Sequence, residues 1–328
     1  MPQVSTVRSL MIYFAVSVAL IGLIEIAARV FIWFERGSAT AGLQERTLNL
    51  DYEPFVMFGP GWDARIAAVP RDERPTVLLV GGSTAEGFAP AILESAISTR
   101  FNQPVRVVNM GFGGYEARQE VVVASMWAPL LRPAVIVSLD GQNDLEHRLR
   151  VASPGRFFLD ASYRLYLTHP LAAPFAWLLA QSQAYNGLVR WQAHRGVGDW
   201  STYADAIPPY VGALHSINVV AKGLGAARLM VLQPFVSFKE PRAPEERAFT
   251  AHAYREPVMR TLYDRTATAL VELSHEDGVA FLDARSIYNG IASPLFTDDV
   301  HFRSTAGSEI LAKAIADALP PTALSGSR

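Results

Sequence analysis

The chain has 328 residues, half of them hydrophobic, and its 29 Lys and Arg against 31 Asp and Glu leave a formal charge of −2. A balance so near neutral, without a Lys/Arg-rich tract, argues against nucleic acid as a partner. The absence of cysteine excludes disulfides and Cys-ligated zinc.

The first feature along the chain is LMIYFAVSVALIGLIEIAA, Leu10 to Ala28, 19 residues with a single charge at Glu25. A bilayer core needs roughly 20 mostly apolar residues, so the length fits a transmembrane helix. It exceeds the apolar region of a cleaved signal peptide, which usually runs about 7–15 residues. Phe31, Trp33 and Phe34 supply an aromatic anchor at its end. Glu25 and Arg29 stand one helical turn apart, as an ion pair would. Arg8 precedes the segment while Arg29, Arg36 and Arg46 follow it, which leans slightly against an outward-facing C-terminal domain.

Residues 1–36 are therefore expected to anchor the chain. Residues 37–74 form a polar linker and an extended, aromatic, turn-rich lead-in from Asp51 to Ile66. Next come five short apolar runs alternating with helical patterns. The predicted strands are Thr76–Val80, Val105–Asn109, Ala134–Leu139, Arg228–Gln233 and Val279–Asp283. The predicted helices are Ala89–Phe101, Ala117–Leu131, Tyr210–Gly223, Glu256–Glu276 and Thr305–Ala318. Short buried strands separated by helices imply a parallel sheet covered on both faces. The expected fold is thus α/β, a flavodoxin-like three-layer α/β/α sandwich with a central five-stranded parallel sheet spanning residues 75–320. Residues 150–203, long and rich in aromatics, break the rhythm and are expected to form an inserted helical cap.

Right-handed crossovers bring all strand C-termini to one edge, where ligands bind in such sheets. The first three loops at that edge read GGSTAEG, MGFGGYE and DGQNDLE. GGSTAEG lacks the Lys-Ser/Thr of a phosphate-binding loop, and GFGG does not complete GxGxxG, so a nucleotide is not expected. No HExxH occurs, and no two of the seven histidines are spaced as a chelating pair, so neither a metal nor any other cofactor is expected. His169, His194, His215, His252 and His275 read as surface or satisfied side chains.

A serine nucleophile needs an imidazole base and a carboxylate to orient it. Ser83 follows a glycine pair at the end of the first strand. Near the C-terminus, PLFTDDVHF sets Asp298 three residues before His301, close enough for a local contact; Asp299 is the alternative partner. Donors for a developing oxyanion are available at the Ser83 N–H, the Gly114 N–H and the Asn143 side-chain amide.

With these residues in place, the chain resembles the SGNH/GDSL hydrolases. GGST matches the nucleophile block, NMGFGG (Asn109–Gly114) the glycine block, GQND (Gly141–Asp144) the GxND block, and DDVH (Asp298–His301) the DxxH block. All four occur in order between Pro75 and Ala318. The resemblance implies Ser83 as nucleophile, His301 as base, Asp298 as orienting acid, and Ser83, Gly114 and Asn143 as the oxyanion hole. It departs at Gly82, where the family often has aspartate; Thr84 is a candidate to replace that polar contact. Asp144 is expected to tie down the GxND loop.

The implied activity is hydrolysis of acetyl or short acyl esters, on a small molecule or a glycan, through an acyl-enzyme. The alternatives are acyl transfer to envelope polysaccharide by the same triad, and a non-catalytic, membrane-tethered glycan-binding role. The resemblance also implies a domain on the outer face of a bacterial membrane. Oligomeric state is not legible in the sequence.

Overall fold

The computed structural model describes residues 3–36, 39, 51–53, 55–150, 204–249, 256–302 and 305–325, with scattered positions between 171 and 188. The expected linker over 37–49 and the expected cap over 150–203 therefore lie mostly outside the described residues. The chain divides into two compact units. One comprises Met1–Leu50 with Leu159–Val197, and the other Asp51–Phe158 with Gly198–Arg328.

The first unit contains α1, Gln3–Arg36. Its stretch Val7–Phe34 is long and apolar enough to cross a membrane, and none of the most apolar part is buried.

The second unit holds the sheet. Its strands are β3 (Thr76–Gly81), β4 (Arg106–Asn109), β5 (Val135–Asp140), β6 (Ala227–Leu232) and β7 (Val279–Asp283). They pair in parallel in the order β4-β3-β5-β6-β7, the doubly wound order of flavodoxin-like sheets. Each lies within a residue or two of its predicted position. Every residue of β3 and β5 is buried, which explains why both read as continuous apolar runs rather than alternating ones.

Side chains at alternate positions serve opposite faces. Val77, Leu79, Val135, Val137, Leu229 and Val231 pack with Leu93 and Ile97 of α4 (Pro90–Phe101) and with Leu311 and Ile315 of α9 (Thr305–Ala318). On the other face lie α5 (Ala117–Leu131), α7 (Ile207–Leu224) and α8 (Glu256–Leu273), with α7 packed on both α5 and α8. Pro90 starts α4 at a position where its missing N–H is harmless, and Gly225, at φ 69°, ends α7.

The lead-in is more structured than the extended segment expected. Asp51–Glu53 (β1) and Met57–Gly59 (β2) form an antiparallel pair, followed by α2 (Trp62–Ala67). Phe58 and Trp62 are fully buried, because they pack on Phe112 and Tyr115 of the loop after β4. Trp62 Nε1 donates to the Tyr115 hydroxyl at 3.0 Å, and that hydroxyl donates to Phe58 O at 2.7 Å.

Candidate active site

Gly81 ends β3 at φ 154°, and a Cβ there would meet Ala85 Cβ at 2.6 Å. The chain then turns directly into α3, the single helical turn Ser83–Glu86. Ser83 is its first residue, so the Ser83 N–H has no intrahelical acceptor and is available to a ligand. Asn109, at the end of β4, braces this turn: its amide donates to Ala85 O at 2.6 Å and Phe88 O at 2.9 Å, and its Oδ1 accepts the Gly111 N–H. Glu86 Oε2 accepts the Gly113 N–H at 2.9 Å and joins the turn to the glycine loop.

His301 comes from the loop before α9. Its Nε2 lies 2.7 Å from Ser83 Oγ and its Nδ1 lies 2.6 Å from Asp298 Oδ2. Asp298 Oδ1 accepts the N–H groups of Val300 and His301, which fixes the carboxylate against its own loop. Burial pushes the Asp298 carboxyl up. Hydrogen bonds from the His301 ring, the His301 N–H and the Val300 N–H outweigh it and hold the group below its ordinary range. Asp299 is engaged elsewhere. Its carbonyl accepts the Val236 N–H at 2.8 Å, and its side chain takes the Gln142 amide at 3.4 Å.

Asn143 sits in α6 (Gln142–Arg150), which begins just past β5. Its Nδ2 donates to Tyr115 O at 2.7 Å, which leaves a second N–H on the same nitrogen. A Cβ on Gly82 would lie 2.5 Å from that nitrogen. Gly82 thus clears the space that the Asn143 amide occupies. Gly114 adopts φ 85° in the glycine loop. Thr84 Oγ1 accepts from Gln233 Nε2 at 3.3 Å, and Asp144 accepts the Ala117 N–H with both oxygens at 3.1 Å. Asp144 therefore ties the start of α6 to the start of α5. Among the described residues, no group of three or more His, Asp or Glu is placed to hold a metal.

The contacts of Asn109, Tyr115 and Gln233 are not legible in the sequence motifs. Asn109 stands inside the quoted glycine block, and its place at a strand end beside the Ser83 turn is the available signal.

Behind the site, Glu120 and Asp140 are buried beside the half-buried Asp144. Burial pushes the Glu120 carboxyl well up, and the charge of Asp140 adds to this; burial likewise raises Asp144, reinforced by Glu116 and Asp140. Asp140 accepts from the Tyr210 hydroxyl, and the buried Arg228 guanidinium donates to Ser138 Oγ at 2.7 Å. A carboxyl whose folded pKa lies above its unfolded value contributes stability fully below the unfolded pKa. That stability is lost as pH rises through the folded one. Glu120→Gln, a permanently neutral mimic, is expected to leave the melting temperature at pH 5 nearly unchanged and to raise it at pH 8. Each 1 kcal/mol relieved corresponds to roughly 2–4 °C in a domain of this size. A melting temperature equally altered at both pH values would show that Glu120 is ionised in the fold.

No family model matches the chain, and no curated protein matches it. Among solved structures it is similar to a catalytic mutant of an acetylxylan esterase from Geobacillus stearothermophilus. The two are 17% identical over 77% of this chain and 98% of that one, with a TM-score of 0.45. It is also similar to a lipase from a goat rumen metagenome, 11% identical over 75% of this chain and 99% of that one, with a TM-score of 0.48.

Proposed function

We propose that the chain is a serine ester hydrolase of the SGNH/GDSL type, tethered to a membrane by α1 and acting on acetyl or short acyl esters. The observation that carries this reading is the continuous hydrogen-bonded line from Ser83 Oγ through both nitrogens of His301 to Asp298. Such a line lets a hydroxyl lose its proton as it attacks.

In the reaction, Ser83 Oγ bonds to the ester carbonyl carbon while His301 Nε2 takes its proton. Asp298 accepts the Nδ1–H, so the imidazolium forms beside a half-buried carboxylate that hydrogen bonds keep ionised. The carbonyl oxygen becomes an oxyanion, received by the Ser83 N–H, the Gly114 N–H and the second N–H of Asn143 Nδ2. Collapse breaks the bond to the alcohol, which leaves with the proton from His301. Water then gives a proton to Nε2, attacks the acyl carbon and releases the acid, restoring Ser83.

The test is covalent. A fluorophosphonate probe is expected to label the wild-type protein at Ser83, identified by peptide mass spectrometry, and to leave His301→Ala unlabelled. A folded wild-type protein that hydrolyses no p-nitrophenyl acetate and takes no probe would sink the proposal.

A further inference from the structure

Within the unit that contains α1, one face of the helix is half-buried. Its residues are Gly22, Glu25, Ala28, Arg29 and Ile32, at helical spacing, while Ile21, Ile24, Ile26 and Phe31 are exposed. At the centre of this stripe, Glu25 pairs with Arg29 at 2.7 Å and accepts three donors from a distant stretch of chain. These are Ser182 Oγ at 2.7 Å, the Gln183 N–H at 3.0 Å and the Ala184 N–H at 3.1 Å. Arg29 in turn donates to Gln181 O at 2.8 Å. Glu25 lies three residues before the end of the apolar run, about 4.5 Å along the axis from its boundary. A carboxylate at that depth requires partners, and these partners fix residues 181–184 at the same depth.

The described residues flanking that stretch expose Leu171, Phe175, Leu179, Tyr185 and Leu188, with Phe175 at 71% and Leu171 at 90%. Apolar side chains so exposed, on either side of a stretch bonded to α1, suit the boundary between headgroups and acyl chains. We propose that the described residues between 171 and 188 form a second membrane-contacting element, seated in the bilayer interface beside the exit of α1, with bilayer lipid as their partner. The proposal rests on α1 being a membrane anchor.

The absence of cysteine makes the test direct. Single-cysteine variants Phe175→Cys, Leu179→Cys, Ile21→Cys in α1 and Ser95→Cys on the exposed side of α4 are labelled with an environment-sensitive fluorophore. The full chain is then reconstituted in phosphatidylcholine–phosphatidylglycerol vesicles. Quenching by a lipid spin-labelled near the top of its acyl chain is compared with quenching by aqueous iodide. Positions 21, 175 and 179 are expected to be quenched by the lipid probe at least roughly threefold more than position 95, with the order reversed for iodide. If position 21 is lipid-quenched while 175 and 179 behave like 95, this inference fails and the anchor stands. If position 21 also behaves like 95, the anchor itself fails. Glu25→Leu keeps the span apolar but removes the acceptor, and it is expected to bring position 175 to the level of 95. Unchanged lipid quenching there would overturn Glu25 as the tether.

Discussion

Replacing Ser83 with alanine is expected to lower kcat for p-nitrophenyl acetate by about 10⁴- to 10⁶-fold, the range set by losing the nucleophile of a triad. The fold should be unaffected. Ser83 is only partly buried, and the change deletes one oxygen that bonds a partly exposed imidazole. Alterations of that kind usually stay within about 0.5 kcal/mol. His301→Ala should fall nearly as far, because the hydroxyl then has no acceptor for its proton. The double variant should be no slower than Ser83→Ala alone, since the two groups act as one device. Steady-state rates with a matched melting curve decide the matter. Turnover by Ser83→Ala near the wild-type rate would place the chemistry elsewhere.

The second large effect is expected at Gly82. A methyl group there would sit 2.5 Å from Asn143 Nδ2, far inside contact distance, so the amide must give way. Its bond to Tyr115 O and its proposed aim at the oxyanion would be lost together. Asn143→Ala removes the donor outright and should cost kcat about 10²- to 10³-fold, as loss of a single oxyanion donor does. Gly82→Ala is expected to approach that figure in kcat with KM little changed. In the Asn143→Ala background the same substitution should cost much less, because the obstructed side chain is gone and only the 3.2 Å approach to Tyr115 O remains. Multiplicative losses in the double variant would refute the steric link. Gly82 is thus better understood as room made for Asn143 than as a missing aspartate.

The strands were legible because each is a short apolar run bounded by glycine, proline or a helical pattern. The edge at which the loops converge followed from the handedness of parallel crossovers. The choice between Asp298 and Asp299 was not legible, since both stand within reach of His301 along the chain. It turns on Asp298 Oδ1 accepting two N–H groups of its own loop, which aims Oδ2 at the ring, while Val236 holds the carbonyl of Asp299. Contacts between distant segments were also hidden. Gly82 against Asn143, Thr84 against Gln233 and Trp62 against Tyr115 carry no local periodicity. Glu120 and Asp140 were hidden for the converse reason. Glu120 stands between Arg118-Gln119 and Val121-Val122-Val123 near the start of a helix, and its own charge gives no sign that it faces the sheet.

Tyr115 stands where two polar paths cross. Its carbonyl takes the Asn143 amide, while its hydroxyl receives from Trp62 and gives to Phe58 O. The residues before the first sheet strand therefore form an outer wall for the glycine loop. A shortened chain that starts at Thr76 would keep every strand of the large sheet and every polar group around Ser83, yet leave that loop open on one side. The compact unit that holds the sheet begins at Asp51, and a cut placed by counting sheet strands would fall some twenty-five residues too late.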